Sequence, residues 1–197
     1  KAGLKPRCVV LVATIRALKM HGGIEKEDLK KENVDALKKG IPNLERHILN
    51  IKKFGLDTVV AINHFITDTD KEVKIIQEEC SKLGVKVSLC THWSDGGNGT
   101  KDLANKVVEL CKKSETSKFK YLYSDQTPIL EKVEKIAKEI YNANSIEVDE
   151  KIKEQVKKIE QAGFGRFPVC IAKTQYSFST DPKLKGAPSG HILPIRE

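Results

Sequence analysis

Unbroken apolar runs alternate along this chain with long lysine-rich stretches whose apolar positions recur at helical spacing. Four runs read as strands: Cys8 to Ala13, Thr58 to Ile62, Val85 to Leu89 and Val169 to Ala172. They are short, rich in β-branched residues and lack polar alternation, which suits parallel strands covered on both faces. Between the first two, the pattern predicts a helix over Glu27 to Lys39 with Leu29, Val34 and Leu37 as its weak apolar side, stopped by Gly40 and Pro42. Asn43 then caps a second helix carrying Leu44, His47, Ile48 and Ile51, with Gly55 as its stop. Thr69 and Glu72 have the capping-box spacing, which starts a helix from Lys71 with Val73, Ile76, Cys80 and Leu83 on one side. Thr100 precedes a helix with Leu103, Val107 and Leu110, and Thr127-Pro128 reads as a cap followed by an N1 proline before Ile129, Val133, Ile136 and Ile140. A charged helix from Asp149 to Gln161 follows a break at Asn142 to Ser145, and Gly163 closes it.

Strand, helices, strand, helix, strand over residues 8–90 is the sequence form of a right-handed parallel sheet. The expected fold class is α/β: three layers, a mostly parallel sheet and helices on both faces. Residues 1–113 form the expected α/β unit, and residues 114–197 a helical segment with one further strand. Both ends read as cut: KAGLKP leads straight into a strand, and HILPIRE resembles a strand that should continue, so a piece of a longer protein is expected.

A length of 197 residues permits one sizeable core or two lobes. The formal net charge of +8 arises from lysines spread along helices, a distribution that fits a solvated surface, with a polyanionic ligand as the alternative. Five cysteines show no C-x-x-C pair and no zinc or disulfide spacing, so reduced, mostly buried thiols in a cytoplasmic protein are expected. No run approaches membrane-spanning length, and no metal site is expected.

The polar groups of interest stand where strands end. Asn63, His64 and Phe65 follow the second strand, His92 and Trp93 the third, and Lys173, Gln175 and Tyr176 the last; Arg16 and His21 follow the first. Open α/β sheets place ligands at such ends. Trp93, the only tryptophan, lies in a polar glycine-rich loop, where a core role is awkward. Phe65 and Trp93 on neighbouring strand ends suit a clamp for a flat heterocycle, with Asn63 and Asp68 reading its edge. The alternative is that both aromatics pack beneath the loop as a small cluster of their own. Gly96, Gly97 and Gly99 lead into a helix and suggest an anion cradle, but Gly99-Thr100-Lys101 transposes the lysine and hydroxyl of a Walker A motif, and no P-loop exists in the chain.

RALKMHGG, VVAINHFITDT, THWSDGGNGT and GFGRFPVCIAKTQYSFSTDPKLKGAPSG, in this order and spanning almost the whole chain, resemble formate–tetrahydrofolate ligase. In that family ATP, with magnesium, phosphorylates formate, and N10 of tetrahydrofolate attacks the resulting formyl phosphate. The resemblance implies that Phe65 and Trp93 clamp the folate ring, that Asn63, Asp68, Gly96, Gly97 and Gly99 lie on the nucleotide side, and that His21, Lys173, Gln175 and Tyr176 line the cleft. It also implies that the P-loop lies N-terminal to this segment, so the segment alone is not expected to turn over. Ile66 stands where the family usually has proline. The expected partners are ATP and tetrahydrofolate as substrates, the remainder of the ligase chain and further copies of the parent, with no tightly bound cofactor, nucleic acid or membrane.

Two other classes share some of these features. A nucleotide-binding switch-like domain also reads a base with Asn and Asp after a buried strand, but here the two are five apart and no P-loop accompanies them. A basic interaction module would use the +8 charge, yet aromatics are only 6% of the chain and no RNA-binding signature is present.

Overall fold

The computed structural model describes residues 3–113, 118–172, 174 and 176–196. These form two compact units, one spanning Leu4–Lys120 and the other made of Gly3 and the residues from Tyr121 onward.

In the first unit β1 (Cys8–Ala13), β2 (Asp57–Asn63) and β3 (Lys86–Cys90) form a parallel sheet in the order β1-β2-β3. Leu11, Val60 and Val87 lie in register on the face covered by α1 (Ile15–His21), α2 (Val34–Lys53) and α3 (Asp70–Lys82). Ile15, Leu18, Leu37, Ile41, Leu44, Ile48, Val73 and Ile76 complete that core. On the opposite face lies α5 (Lys101–Lys113), which meets the sheet through Cys111 beside Cys8 and Asp102 beneath Ser88, while α4 (His92–Asp95) is a short helix in the turn after β3. The three-layer α/β expectation therefore holds. Central β2 is buried along Thr58–Ile62, whereas Val10 and Val12 of edge strand β1 remain exposed on the α5 face.

The expected break at Gly40 and Pro42 is absent, because α2 runs through both. An interior proline costs a helix roughly 3 kcal/mol, but Leu37, Ile41, Leu44 and Ile48 continue one buried stripe across it. Tertiary burial outweighs the lost hydrogen bond. Gly40 is needed for close approach, since a Cβ there would sit 1.8 Å from the Leu18 carbonyl oxygen, and one on Gly22 equally close to that of Ala36. The two glycines let α1 and α2 touch backbone to backbone. Only a short 3-10 turn, Lys26–Asp28, stands where the start of the first helix was expected.

The second unit contains α6 (Ile129–Glu139), β4 (Ser145–Val148), α7 (Glu150–Ile159) and β5 (Ile192–Ile195). β4 and β5 pair in parallel around Ala137, Tyr141, Ala143, Phe178 and Leu193. This separate small sheet contains the expected C-terminal strand and a strand, β4, that the break at Asn142 to Ser145 hid. Val169–Ala172 forms no strand. The Val169 N–H donates to the Tyr123 hydroxyl at 2.9 Å, and that hydroxyl donates to the Val169 carbonyl at 3.2 Å, so a side chain takes the place of a strand partner. Cys170 is exposed there, unlike buried Cys80 and Cys90. Burial, with Glu45 and Glu79 adding to it, pushes the Cys80 thiol up to about 11.

Thr100 and Thr127 do not cap as expected. The Thr100 hydroxyl donates to the Gly97 carbonyl, Pro128 occupies the N-cap of α6, and the Ile129 N–H is satisfied by Glu160. Lys132, fully buried, donates to the carbonyls of Gly165 (2.9 Å) and Phe167 (3.0 Å) and lies 5.9 Å from the centre of the Tyr123 ring.

Candidate functional site

Ala13, Ile62 and Leu89 lie side by side in register, so all three strands of the first unit end at one edge. The His64 N–H donates to the Cys90 carbonyl at 3.1 Å and carries the pairing one residue past β2. Asn63, half-buried, is the last residue of β2 and pairs with Cys90. Two turns leave this edge next to each other: one through Phe65 to α3, the other through Trp93 to α5.

The Phe65 turn is closed by two hydrogen bonds within itself. The Asp68 N–H donates to the Phe65 carbonyl, and the Phe65 N–H donates to Asp68 Oδ2, both at 2.9 Å. Asp68 is 8% exposed, and its Oδ1 is buried with no hydrogen-bond partner among the described residues. Arg16, in the first turn of α1, lies with its guanidinium carbon 4.1 Å from the centre of the Phe65 ring and donates from Nη2 to the Thr67 hydroxyl at 3.1 Å. The capping box at Thr69 is present as its spacing predicts: the Glu72 N–H donates to Thr69 Oγ1, and the Thr69 N–H to Glu72 Oε2.

Glu72 also makes a contact that the spacing does not show. Its Oε1 lies 3.0 Å from Lys19 Nζ, with both side chains fully buried, and also accepts the Asn33 N–H at 3.0 Å. Burial pushes this carboxyl up, but the hydrogen bonds from Asn33, Lys19 and Thr69 outweigh it and hold the pKa below its ordinary value. Lys19 also donates to the Lys31 carbonyl at 2.8 Å. One buried pair thus joins α1, the start of α2 and the start of α3 beneath the Phe65 turn.

The Trp93 turn is built differently. Residues 92–98 are all exposed, and Trp93 is 57% exposed. The Thr91 hydroxyl donates to Asp95 Oδ2 at 2.5 Å and, with Ser94, holds that carboxyl below its ordinary range. The Thr91 N–H donates to the Gly99 carbonyl at 3.2 Å, and a Cβ on Gly99 would lie 2.6 Å from the Thr91 carbonyl carbon. Gly99 is there because the turn folds back on itself, whereas Gly96 and Gly97 face open space.

The edge therefore brings together Asn63, Phe65, Asp68, Trp93, Gly96, Gly97 and Gly99. His21 stands apart from the first turn of α1, in its last turn, where its charge joins burial and Arg46 in lowering the pKa of His47. Lys173 and Gln175 lie outside the described residues, and Tyr176 belongs to the second unit. Sequence reasoning noted Arg16 as a polar group at the end of β1 but gave it no role in the site, and it left Lys19 out altogether. The signal of Lys19 was faint: it sits beside Leu18 on the face that buries Ile15, an unusual place for a lysine. Among the described residues no group of three or more His, Cys, Asp or Glu side chains could hold a metal ion, and no helix is long and apolar enough to cross a membrane.

Parallel strands ending together, with polar and aromatic turns leading into helices, make this an α/β protein of the kind whose ligands lie at strand ends. The chain belongs to the formate–tetrahydrofolate ligase family, whose profile matches residues 1–197. It is 65% identical over 197 residues to formate–tetrahydrofolate ligase of Pelagibacter ubique (strain HTCC1062). Identity is 57% to the protein of that name from Hyphomonas neptunium (strain ATCC 15444) and 52% to that from Sinorhizobium medicae (strain WSM419). Each match covers the whole of this chain and 35% of the relative, so the chain spans about a third of the length of these proteins.

Proposed function

We propose that the chain is part of an ATP-dependent ligase joining formate to tetrahydrofolate, and that its share of the work is to hold the flat pterin ring between Phe65 and Trp93. In the reaction a formate oxygen attacks the terminal phosphorus of ATP, and ADP leaves. N10 of tetrahydrofolate then attacks the formyl carbon, and phosphate departs. Both steps join reactants that must be held in line, so fixing the ring supplies proximity. The main phosphate cradle belongs to the remainder of the ligase chain, and the segment alone is inactive. Asn63 and Asp68 lie on the nucleotide side, with Gly96, Gly97 and Gly99 as neighbours in the second turn.

The observation that supports this reading best is Trp93, 57% exposed on a turn beside the Phe65 turn. An exposed indole on a turn at the strand ends is available for stacking. In the full-length ligase, Trp93→Ala should raise the KM for tetrahydrofolate about 5- to 150-fold, the equivalent of losing one stacking face at about 1–3 kcal/mol, with the melting temperature unchanged. Phe65→Ala should raise the same constant. A lowered melting temperature with unchanged folate KM in the folded fraction would return both residues to a packing role.

A further inference from the structure

We infer that Arg16 is the residue that orients Phe65 for ligand stacking, acting on the ligand through that ring; the inference rests on the ring-clamp reading above. Phe65 lies on a turn whose tip residue, Ile66, is 81% exposed and so does little to anchor it. The two hydrogen bonds between Phe65 and Asp68 fix the backbone of the turn but leave χ1 and χ2 of the phenylalanine free. The guanidinium, 4.1 Å from its centre, restrains the ring.

Arginine suits this position for a geometric reason. Its planar cation can stack on an aromatic face while its N–H groups donate sideways in the same plane. Arg16 does both, since Nη2 reaches the Thr67 hydroxyl at 3.1 Å and so ties the ring to its own turn. A lysine ammonium has no plane to stack. The position of Arg16 is itself fixed twice. Thr14 caps α1 by accepting the Ala17 N–H at 3.1 Å, and Lys19, one turn beyond Arg16, is locked to Glu72 at the far end of the same turn. Helix α1 therefore holds the Phe65 turn at both ends, Arg16 at Phe65 and Thr67, Lys19 at the start of α3.

The guanidinium lies over one face of Phe65, and on the proposed clamp the opposite face takes the planar ligand. Arg16 Nε is buried without a hydrogen-bond partner among the described residues, so the side chain is held there by the stack and the Thr67 bond and not by saturation of its donors. A residue in this position changes how well the ring is presented and does not take part in the chemistry.

The test uses the full-length ligase with Arg16→Met, which keeps the stem and loses the planar cation, and Arg16→Lys, which keeps the charge. Each is made in the native background and in Phe65→Leu, and kcat, the KM for tetrahydrofolate and the melting temperature are measured. In the native background Arg16→Met should raise the folate KM roughly 3- to 30-fold, the range of cation–π strengths, with kcat nearly unchanged and Arg16→Lys falling between. In the Phe65→Leu background the same change should have no further effect on KM. An equal rise in both backgrounds would overturn the inference, because Arg16 would then touch the ligand directly. An unmoved KM with a lowered melting temperature would also overturn it, leaving Arg16 a purely structural residue. If Phe65→Leu alone leaves the folate KM unchanged, the clamp reading itself falls and takes this inference with it, a result distinct from the other two.

Discussion

The turn through Phe65 and the turn through Trp93 leave neighbouring strands at the same level, yet they are held in opposite ways. The first is anchored from below by fully buried Lys19 and Glu72 and from the side by Arg16. The second is exposed from residue 92 to residue 98 and is shaped by short-range bonds among Thr91, Ser94, Asp95 and Gly99. The first turn is held by contacts that reach two helices, the second by bonds among its own residues. On the proposed clamp, the two rings therefore stand on mounts of different kinds.

The difference between the two turns is easiest to abolish at Glu72. Glu72→Ala leaves the Lys19 ammonium buried without its carboxylate, and such losses cost about 3–5 kcal/mol; chemical denaturation should show it, while Lys19→Met combined with Glu72→Ala should be less destabilised than the single change. Acid should probe the same contact more gently. Because the folded pKa of Glu72 is below the ordinary 4.5, its stabilisation is fully present above that value and is lost as pH falls through the lower folded value. Denaturation midpoints measured downward from pH 6 should therefore decline below about 4.5 in the native protein, and this part of the decline should be missing in Glu72→Gln. The Trp93 turn gives the smaller effects. Gly99→Ala forces a Cβ against the Thr91 backbone and should cost about 1–3 kcal/mol as overpacking does, whereas Gly97→Ala, in open space, should stay within about 0.5 kcal/mol. Equal losses at the two glycines would show that the turn is not folded back on Thr91.

Much of this was legible in the chain, and what was not has identifiable physical causes. β1 stands where its apolar run predicts, and the capping box at Thr69 was visible because it is a local device with fixed spacing. The continuity of α2 was not, since proline reads locally as a stop and only the stripe Leu37, Ile41, Leu44, Ile48 meeting the sheet overrides it. Val169–Ala172 misled for the converse reason: an apolar run requires a strand partner, and Tyr123 supplied the hydrogen bonds instead. At the site, Phe65 and Trp93 could be placed by strand order alone. Arg16 over Phe65 and Lys19 against Glu72 depend on how α1 lies on α3, a relation between segments about 50 residues apart that no local pattern encodes.

Lys132 in the second unit invites a different description. Its ammonium sits where the carbonyls of Gly165 and Phe167 converge, with the Tyr123 ring nearby, a setting of oxygen ligands like those in which proteins seat hard metal ions. The chain has supplied the cation from one of its own side chains, so the loop after α7 carries a tethered counterpart of a bound ion. Such a cation cannot be chelated away, exchanged or diluted, and the shape of that loop is set by the sequence alone, whatever salts surround it.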